Sequence, residues 1–314
     1  MNRSVLFVVC LPVLVLLFAA KPTQAQDSVP QTELLLWQKL DASMQTENQH
    51  LDGVLGVAIL DLTNQHTLLL NADEVFPTAS TIKIVILAEL YRQAQQGKVK
   101  LNDIYTLRQS DLAGGSGIAN ALTPGVSKFT LRDVAVLMIS VSDNTATNIL
   151  IDRIGLDNVN VLLDSLNLTH TRLRRKMMDI QAAAEGRENV ATPRELAQLF
   201  EALYRGKVLN KQFTDDYFNL LSIHKESYIP RELPEDLRIA NKPGELEGVR
   251  NDCGLVFNGS RPYILCAMSS HVRHEHEACD AIARISGETW RMFDRLRRSS
   301  PYGRVVSPHD SSPP

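Results

Sequence analysis

"FPTASTIKIVILAELYRQAQQ", residues 76–96, begins apolar on nearly every side: Ile82, Ile84, Val85, Ile86 and Leu87 leave no polar face in the first turns. A surface helix carries an apolar stripe, whereas a helix apolar all round is buried. Residues 81–96 are therefore expected to form a buried helix, ended by Gly97, with other elements packed around it. Ser80 and Lys83 stand three apart at its N-terminal end, so both side chains project from one face.

The flanks say what surrounds this helix. Upstream, "TELLLWQKLDASM" from Thr32 has apolar positions at helical spacing. "GVLGVAILDL" and "HTLLLNA" then read as two strands joined by a polar turn at Thr63 to Gln65. Between about residues 100 and 235 the pattern is helical, with no convincing strand. Two helix starts there have the form of a capping box, Thr130 with Asp133 and Thr192 with Glu195, the second with Pro193 at the first helical position. Strand signals return in "LRIANKPG", "CGLVF" and "YILCAM", the last two separated by Asn258, Gly259 and Pro262. Residues 277–298 close the chain as an amphipathic helix.

Strands at both ends and helices between them imply an α+β fold. One antiparallel sheet is assembled from the N- and C-terminal segments, about 30–90 and 236–298, with flanking helices. An all-helical lobe, about 91–235, is inserted, and a site is expected in the cleft between the two. Residues 300–314 read as a disordered tail.

Residues 1–25 have the layout of a signal peptide: Arg3, an apolar run from Val5 to Ala20, then small and polar residues to Ala25. The run is short for a membrane span and contains Pro12. A periplasmic or secreted protein with no stable membrane insertion is expected, and excision would move the net charge from −3 to −5. Nothing in that balance suggests nucleic acid. No exposed apolar run calls for a partner, so a monomer is expected.

Three short motifs carry chemistry. In "FPTASTIK" a partly desolvated Lys83 has the chemistry to take the Ser80 proton, making Ser80 a nucleophile, and the helix N-terminus favours a developing oxyanion. In "SVSDNTATNIL" Ser142 and Asn144 fall in a loop between helices. In "NKPGE" Lys242 and Gly244 end a strand, and Gly244 lets a substrate backbone come close. Each alone has a plainer reading, as caps for the first two and a surface turn for the third.

In this order, S-x-x-K, S-D-N and K-x-G resemble the signature of the serine β-lactamases and penicillin-binding proteins. The separations, 62 residues from Ser80 to Ser142 and 100 from Ser142 to Lys242, are similar to those of class A β-lactamases. So is "TPGVSKFTLRDVAVLMISVSDNTATN" around the second motif, and the resemblance runs from about Thr32 to Arg297. It implies that Ser80 forms an acyl-enzyme with Lys83 as base, and that Ser142 relays a proton to the leaving nitrogen with Lys242 tuning it. Asn144 would hold a substrate amide, and the backbone N–H groups of Ser80 and Glu245 would form the oxyanion hole. Arg250 would receive a substrate carboxylate. The implied substrate is a β-lactam or a peptidoglycan-like acyl compound, with no cofactor.

Two departures stand out. Pro243 replaces the hydroxyl residue usual between the lysine and glycine. In "TRLRRKMMDIQ", residues 171–181, Met177 falls where the family carries the glutamate that activates the deacylating water, and methionine is no general base. Asp179 is the expected substitute, with Glu185 and Glu188 behind it. The alternatives to a β-lactamase are therefore a D-alanyl-D-alanine-type peptidase or esterase of the same fold, or a non-catalytic ligand-binding member.

His271, His274 and His276 lack defined further ligands, and no metal is expected. Cys253 and Cys266 fall at opposing positions of a hairpin, so a bridge is geometrically possible; Cys279 with either is the alternative.

Overall fold

The computed structural model describes residues 1, 30–300 and 302–305. Beyond Met1 the expected signal peptide lies outside them, as does most of the expected tail.

Helix α1 (Gln31–His50) leads into the antiparallel hairpin β1 (Val54–Asp61) and β2 (Thr67–Leu70). The short strand β3 (Phe76–Pro77) precedes a single 3₁₀ turn, Ala79–Ile82, which opens into α2 (Lys83–Gln95). Then follow β4 (Ile104–Thr106), β5 (Lys128–Thr130), α3 (Leu131–Ser140), α4 (Asn144–Ile154) and α5 (Leu156–Ser165). After these come α6 (Ile180–Ala184), β6 (Val190–Ala191), α7 (Pro193–Tyr204) and α8 (Lys211–Leu221). Three long strands, β7 (Ile239–Leu246), β8 (Val249–Val256) and β9 (Tyr263–Ser270), lead to α9 (Glu275–Arg297). No helix among the described residues is long and apolar enough to cross a membrane.

The sheet runs β2-β1-β9-β8-β7, every pairing antiparallel, so the two chain ends meet where β1 pairs with β9. Alternation along β1 sends Leu55, Val57 and Ile59 to one core, with Trp37 and Met44 of α1 and Ile282 and Phe293 of α9. Ala58 and Leu60 face the other core, which holds α2 through α5, α7 and α8. There Ile84, Val85, Ile86 and Leu87 are all completely buried, as their pattern requires. Each contributes about 1.5–3 kcal/mol relative to exposure.

Two expectations are corrected. The middle of the chain is not free of strands: β4 pairs with β5, and β3 with β6. At two or three residues each, these are too short to show an alternating pattern. Thr192 caps α7 through Glu195 N–H (3.1 Å), but the Glu195 carboxylate does not return to close the box. It accepts instead from Thr171 N–H (2.6 Å), Thr171 Oγ1 (2.7 Å) and His170 N–H (2.9 Å), tying down the 171–181 stretch. Where the expected tail begins, Ser299 bridges Val305 around Gly303, which takes a left-handed φ of 84°.

Cys253 and Cys266 lie directly opposite each other on β8 and β9 as buried thiols. Cys279 sits in the core on the other face of the sheet, which removes the alternative pairing. Among the described residues no cluster of three or more His, Cys, Asp or Glu side chains is placed to hold a metal ion.

Candidate active site

Ser80 rides on the 3₁₀ turn before α2, and the residue ahead of it, Ala79, is in the left-handed region at φ 47°. Such a residue costs about 1–3 kcal/mol and persists only where its neighbours over-determine it. Here Asn189 O accepts from Thr78 N–H (2.9 Å) and Thr78 Oγ1 (3.1 Å). From the other side, the fully buried Asn251 of β8 donates through Nδ2 to Pro77 O (2.9 Å) and Thr78 O (3.1 Å). Strand β7 presses against the same turn. A Cβ on Gly244 would come within 2.7 Å of Thr78 O, 2.9 Å of Thr81 N and 3.0 Å of Ser80 N. Gly244 thus serves the contact between β7 and the nucleophile's turn.

Ser142 occupies the connection between α3 and α4, also left-handed at φ 54°. Asp143 braces it, accepting from Ile118 N–H and Ala119 N–H at 2.7 Å each and capping α4 through Ala146 N–H (2.8 Å). Ser116 Oγ donates to Ser142 O (2.8 Å). Fixed in this way, Ser142 Oγ is the hub of the site. Its hydroxyl donates to Ser80 Oγ (2.8 Å), and it accepts from Lys83 Nζ (3.0 Å) and Lys242 Nζ (3.1 Å). Lys83 also donates to Ser142 O (2.6 Å) and Asn144 Oδ1 (3.2 Å), and Lys242 to Pro243 O (2.9 Å). Lys83 makes no hydrogen bond to Ser80, so the amine reaches the nucleophile through Ser142.

Burial governs the charge of this cluster. Lys83 lies well below the ordinary lysine range because it is desolvated, and the ammonium of Lys242 pushes in the same direction against the pull of Asp143. Lys242 is lowered to about 7 by burial and by Lys225, with Asp252 and Glu245 opposing. Near neutral pH this pair of buried amines gives up a proton that exposed lysines would keep.

Ser80, Ser142, Asn144, Lys242 and Glu245 line one cleft of about 820 Å³. Its far wall is the 171–181 stretch. Arg174 N–H and Arg175 N–H donate to Asn189 Oδ1 (2.7 and 3.0 Å), and Asn148 clamps Met177 at both its N–H (2.8 Å) and its carbonyl (3.1 Å). Met177 and Met178 both line the cleft, the first buried and the second half-exposed at φ 63°.

Residues 35–293 match the sequence description of the β-lactamase enzyme family. The chain belongs to that family. It is 31% identical over 261 residues to β-lactamase CTX-M-4 of Salmonella typhimurium, covering 82% of this chain and 85% of the relative. A solved β-lactamase from Sphaerobacter thermophilus superposes with a TM-score of 0.75 at 33% identity, over 81% of this chain and 96% of that one. A PBP-A variant, solved as an acyl-enzyme complex with penicillin G, gives a TM-score of 0.75 at 27% identity, over 84% of this chain and 97% of its own. These likenesses carry the serine β-lactamase fold, α+β with its antiparallel sheet, onto this chain.

Within that family fold two expected site residues are not brought to the cleft. Arg250 stands on the opposite face of β8 from Asn251. Its guanidinium is taken by Glu275 and by the carbonyls of Leu246 and Val249 (2.7 Å each), so its charge is already matched. It lines a neighbouring depression that meets the cleft only at Tyr228's partner Glu245. Asp179 is exposed and caps α6 through Ala182 N–H (3.0 Å), away from the cleft lining. Glu185 is likewise outside, paired with Arg187. Glu188 does line the cleft, but its Oε1 accepts from Arg175 Nη2 (2.7 Å), Arg175 Nε (3.1 Å) and Asn189 N–H (2.8 Å), which makes it a strap across the loop.

Sequence reasoning missed Asn251, Asn189, Asn148 and Lys225. The first three act by gripping distant backbone, which leaves no local pattern. Lys225 belongs to no motif, although it lines the cleft beside Lys242.

Proposed function

We propose that the protein is an exported serine hydrolase that opens β-lactam amides through an acyl-Ser80 intermediate and releases the acyl group slowly. The observation that carries this reading is the continuous chain from Ser80 Oγ through Ser142 Oγ to Lys83 and Lys242, each link at 2.8–3.1 Å. When one lysine is neutral, the Ser142 hydroxyl turns from Ser80 Oγ to that lysine's lone pair and gives it the proton, while Ser142 Oγ accepts the proton of Ser80. Ser80 Oγ then attacks the carbonyl, and the new oxyanion faces the N–H groups of Ser80 and Glu245. As the carbon–nitrogen bond breaks, the proton returns through Ser142 to the leaving nitrogen. So intact a network weighs against a non-catalytic binding role.

Slow release follows from the wall opposite. Met177 offers no basic atom, Asp179 and Glu185 lie outside the cleft, and Glu188 is strapped to Arg175. The same observation favours a second reading, in which the physiological substrate is a D-alanyl-D-alanine-type peptide or an ester and β-lactams act as trapping mimics. A chromogenic cephalosporin distinguishes the readings: sustained turnover abolished in Ser80→Ala supports the first, and a stoichiometric burst without turnover supports the second.

The lysine pair sets the pH dependence. Acylation needs one neutral amine, and burial lowers both lysines, Lys242 to about 7. With Lys242 as the acceptor, the acylation rate is expected to rise about tenfold per pH unit below about 7 and to level off above it; with Lys83 as the acceptor, the break follows that amine's own burial-lowered titration instead. Pre-steady-state acylation across pH checks this, and a flat profile from pH 5 to 8 would exclude Lys242 as the acceptor.

A further inference from the structure

Met178 is in the left-handed region at φ 63°, and its side chain is half-exposed although that of Met177 is buried. Its backbone is pinned on both sides. Asn148 holds Met177 by its N–H and its carbonyl, and Ile180 N–H donates to Met178 O (3.0 Å) at the start of α6. A strained residue persists where its surroundings over-determine it in this way. The thioether reaches Gly115, on the connection between β4 and β5. A Cβ at Gly115 would come within 3.0 Å of Met178 Sδ and 2.7 Å of Asn144 Nδ2, so the thioether and the Asn144 amide share the room that this glycine leaves. The Gly115 side is fixed as well: Ala113 N–H donates to Thr145 Oγ1 (2.9 Å), and Ser116 Oγ to Ser142 O (2.8 Å). With both backbones held, the methionine side chain is the part that can yield.

Asn144 is the residue expected to hold a substrate amide. Lys83 Nζ donates to its Oδ1 (3.2 Å), and Gly114 O accepts one Nδ2 proton (3.0 Å), which leaves the second Nδ2 proton for a substrate carbonyl. We propose that Met178 determines which acyl groups enter: its thioether occupies the place beside Asn144 where the amide of an acyl side chain would bind. The cleft therefore favours acyl compounds that carry no amide on the carbon next to the scissile carbonyl. The inference rests on Ser80 being the acylated residue and on Asn144 facing the substrate, and adds the acyl groups that the site turns away. Methionine suits the role because it is unbranched and flexible, so a substrate can push it aside at a cost instead of being barred outright. Its sulfur is a weak acceptor, and a carbonyl that displaces it gains the Asn144 hydrogen bond only after the side chain has moved.

The test compares benzylpenicillin, which has a phenylacetamide on the carbon beside the lactam carbonyl, with penicillanic acid, which has only hydrogen there and the same rings and carboxylate. With either, acylation forms the Ser80 Oγ–carbonyl bond, breaks the lactam carbon–nitrogen bond and passes the Ser80 proton to the ring nitrogen. Second-order acylation rate constants are read by quenching and intact mass. Met178→Ala is expected to raise the constant for benzylpenicillin about tenfold, the order for clearing a methylene-sized obstacle from a pocket, and to leave that for penicillanic acid within about twofold. Met178→Gly, which also suits the left-handed backbone, should change the ratio of the two constants in the same direction. A ratio unchanged in both variants, whether because both constants rise together or because neither moves, overturns the proposal. A wild type that neither compound labels at Ser80 would instead overturn the nucleophile reading, and this inference with it.

Discussion

Ser142→Ala is expected to slow acyl-enzyme formation by about 10²–10⁴-fold, the range for losing a positioned proton-transfer group. Its hydroxyl is the sole link between Ser80 Oγ and either amine, because Lys83 and Lys242 both end on Ser142 Oγ and neither bonds Ser80. The substitution leaves the main chain able to do its other work, since Lys83 still has Ser142 O at 2.6 Å and Asp143 still braces the loop. Stability should therefore change far less than rate, and comparison of the thermal midpoint with the single-turnover acylation rate separates the two. Acylation within threefold of wild type would show that Lys83 reaches Ser80 without the relay.

Met177→Glu is expected to act on the other half-reaction, raising acyl-enzyme hydrolysis by about 10²-fold or more while leaving acylation within a few-fold. Asn148 holds Met177 by both its N–H and its carbonyl, so position 177 keeps its orientation when the side chain changes, and that side chain lines the cleft. A carboxylate there supplies a basic oxygen at position 177, where the thioether has none and the other carboxylate of that wall, Glu188, is held by Arg175. The cost is a carboxylate in place of a thioether that packs into the core, on the order of several kcal/mol of stability when the group is ionised. Decay of a preformed penicillin adduct, followed by intact mass, checks it. An unchanged decay rate would mean that release is limited by something other than a missing base.

What could be read from the sequence was what is written locally. Ser80 and Lys83 share a helix start, Ser142 and Asn144 share the junction that opens α4, and Lys242 and Gly244 share a strand, so each motif announces itself within a few residues. The order of strands and helices gave the sheet its two ends in the same way. Asn251 could not be read, because its partners Pro77 and Thr78 lie on another element, Thr78 being 173 residues away. Arg250 was legible as a cation, but Glu275, which neutralises it, sits on a helix whose position against β8 only the fold supplies. Asp179 looked like a base because it is acidic and two residues from Met177. The helix it caps begins at the next residue, and that turns its carboxylate towards Ala182. Gly244 was legible as a glycine, but the nucleophile's turn that demands it was not.

Whether Ser80 is the acylated atom is settled most directly by mixing the protein with penicillin G, quenching, digesting and mapping the adduct by peptide mass. The network around Ser142 predicts one equivalent of penicilloyl group on the peptide containing Ser80, formed faster than it is lost and absent in Ser80→Ala. An adduct on another residue, or β-lactam turnover that survives Ser80→Ala, would contradict it.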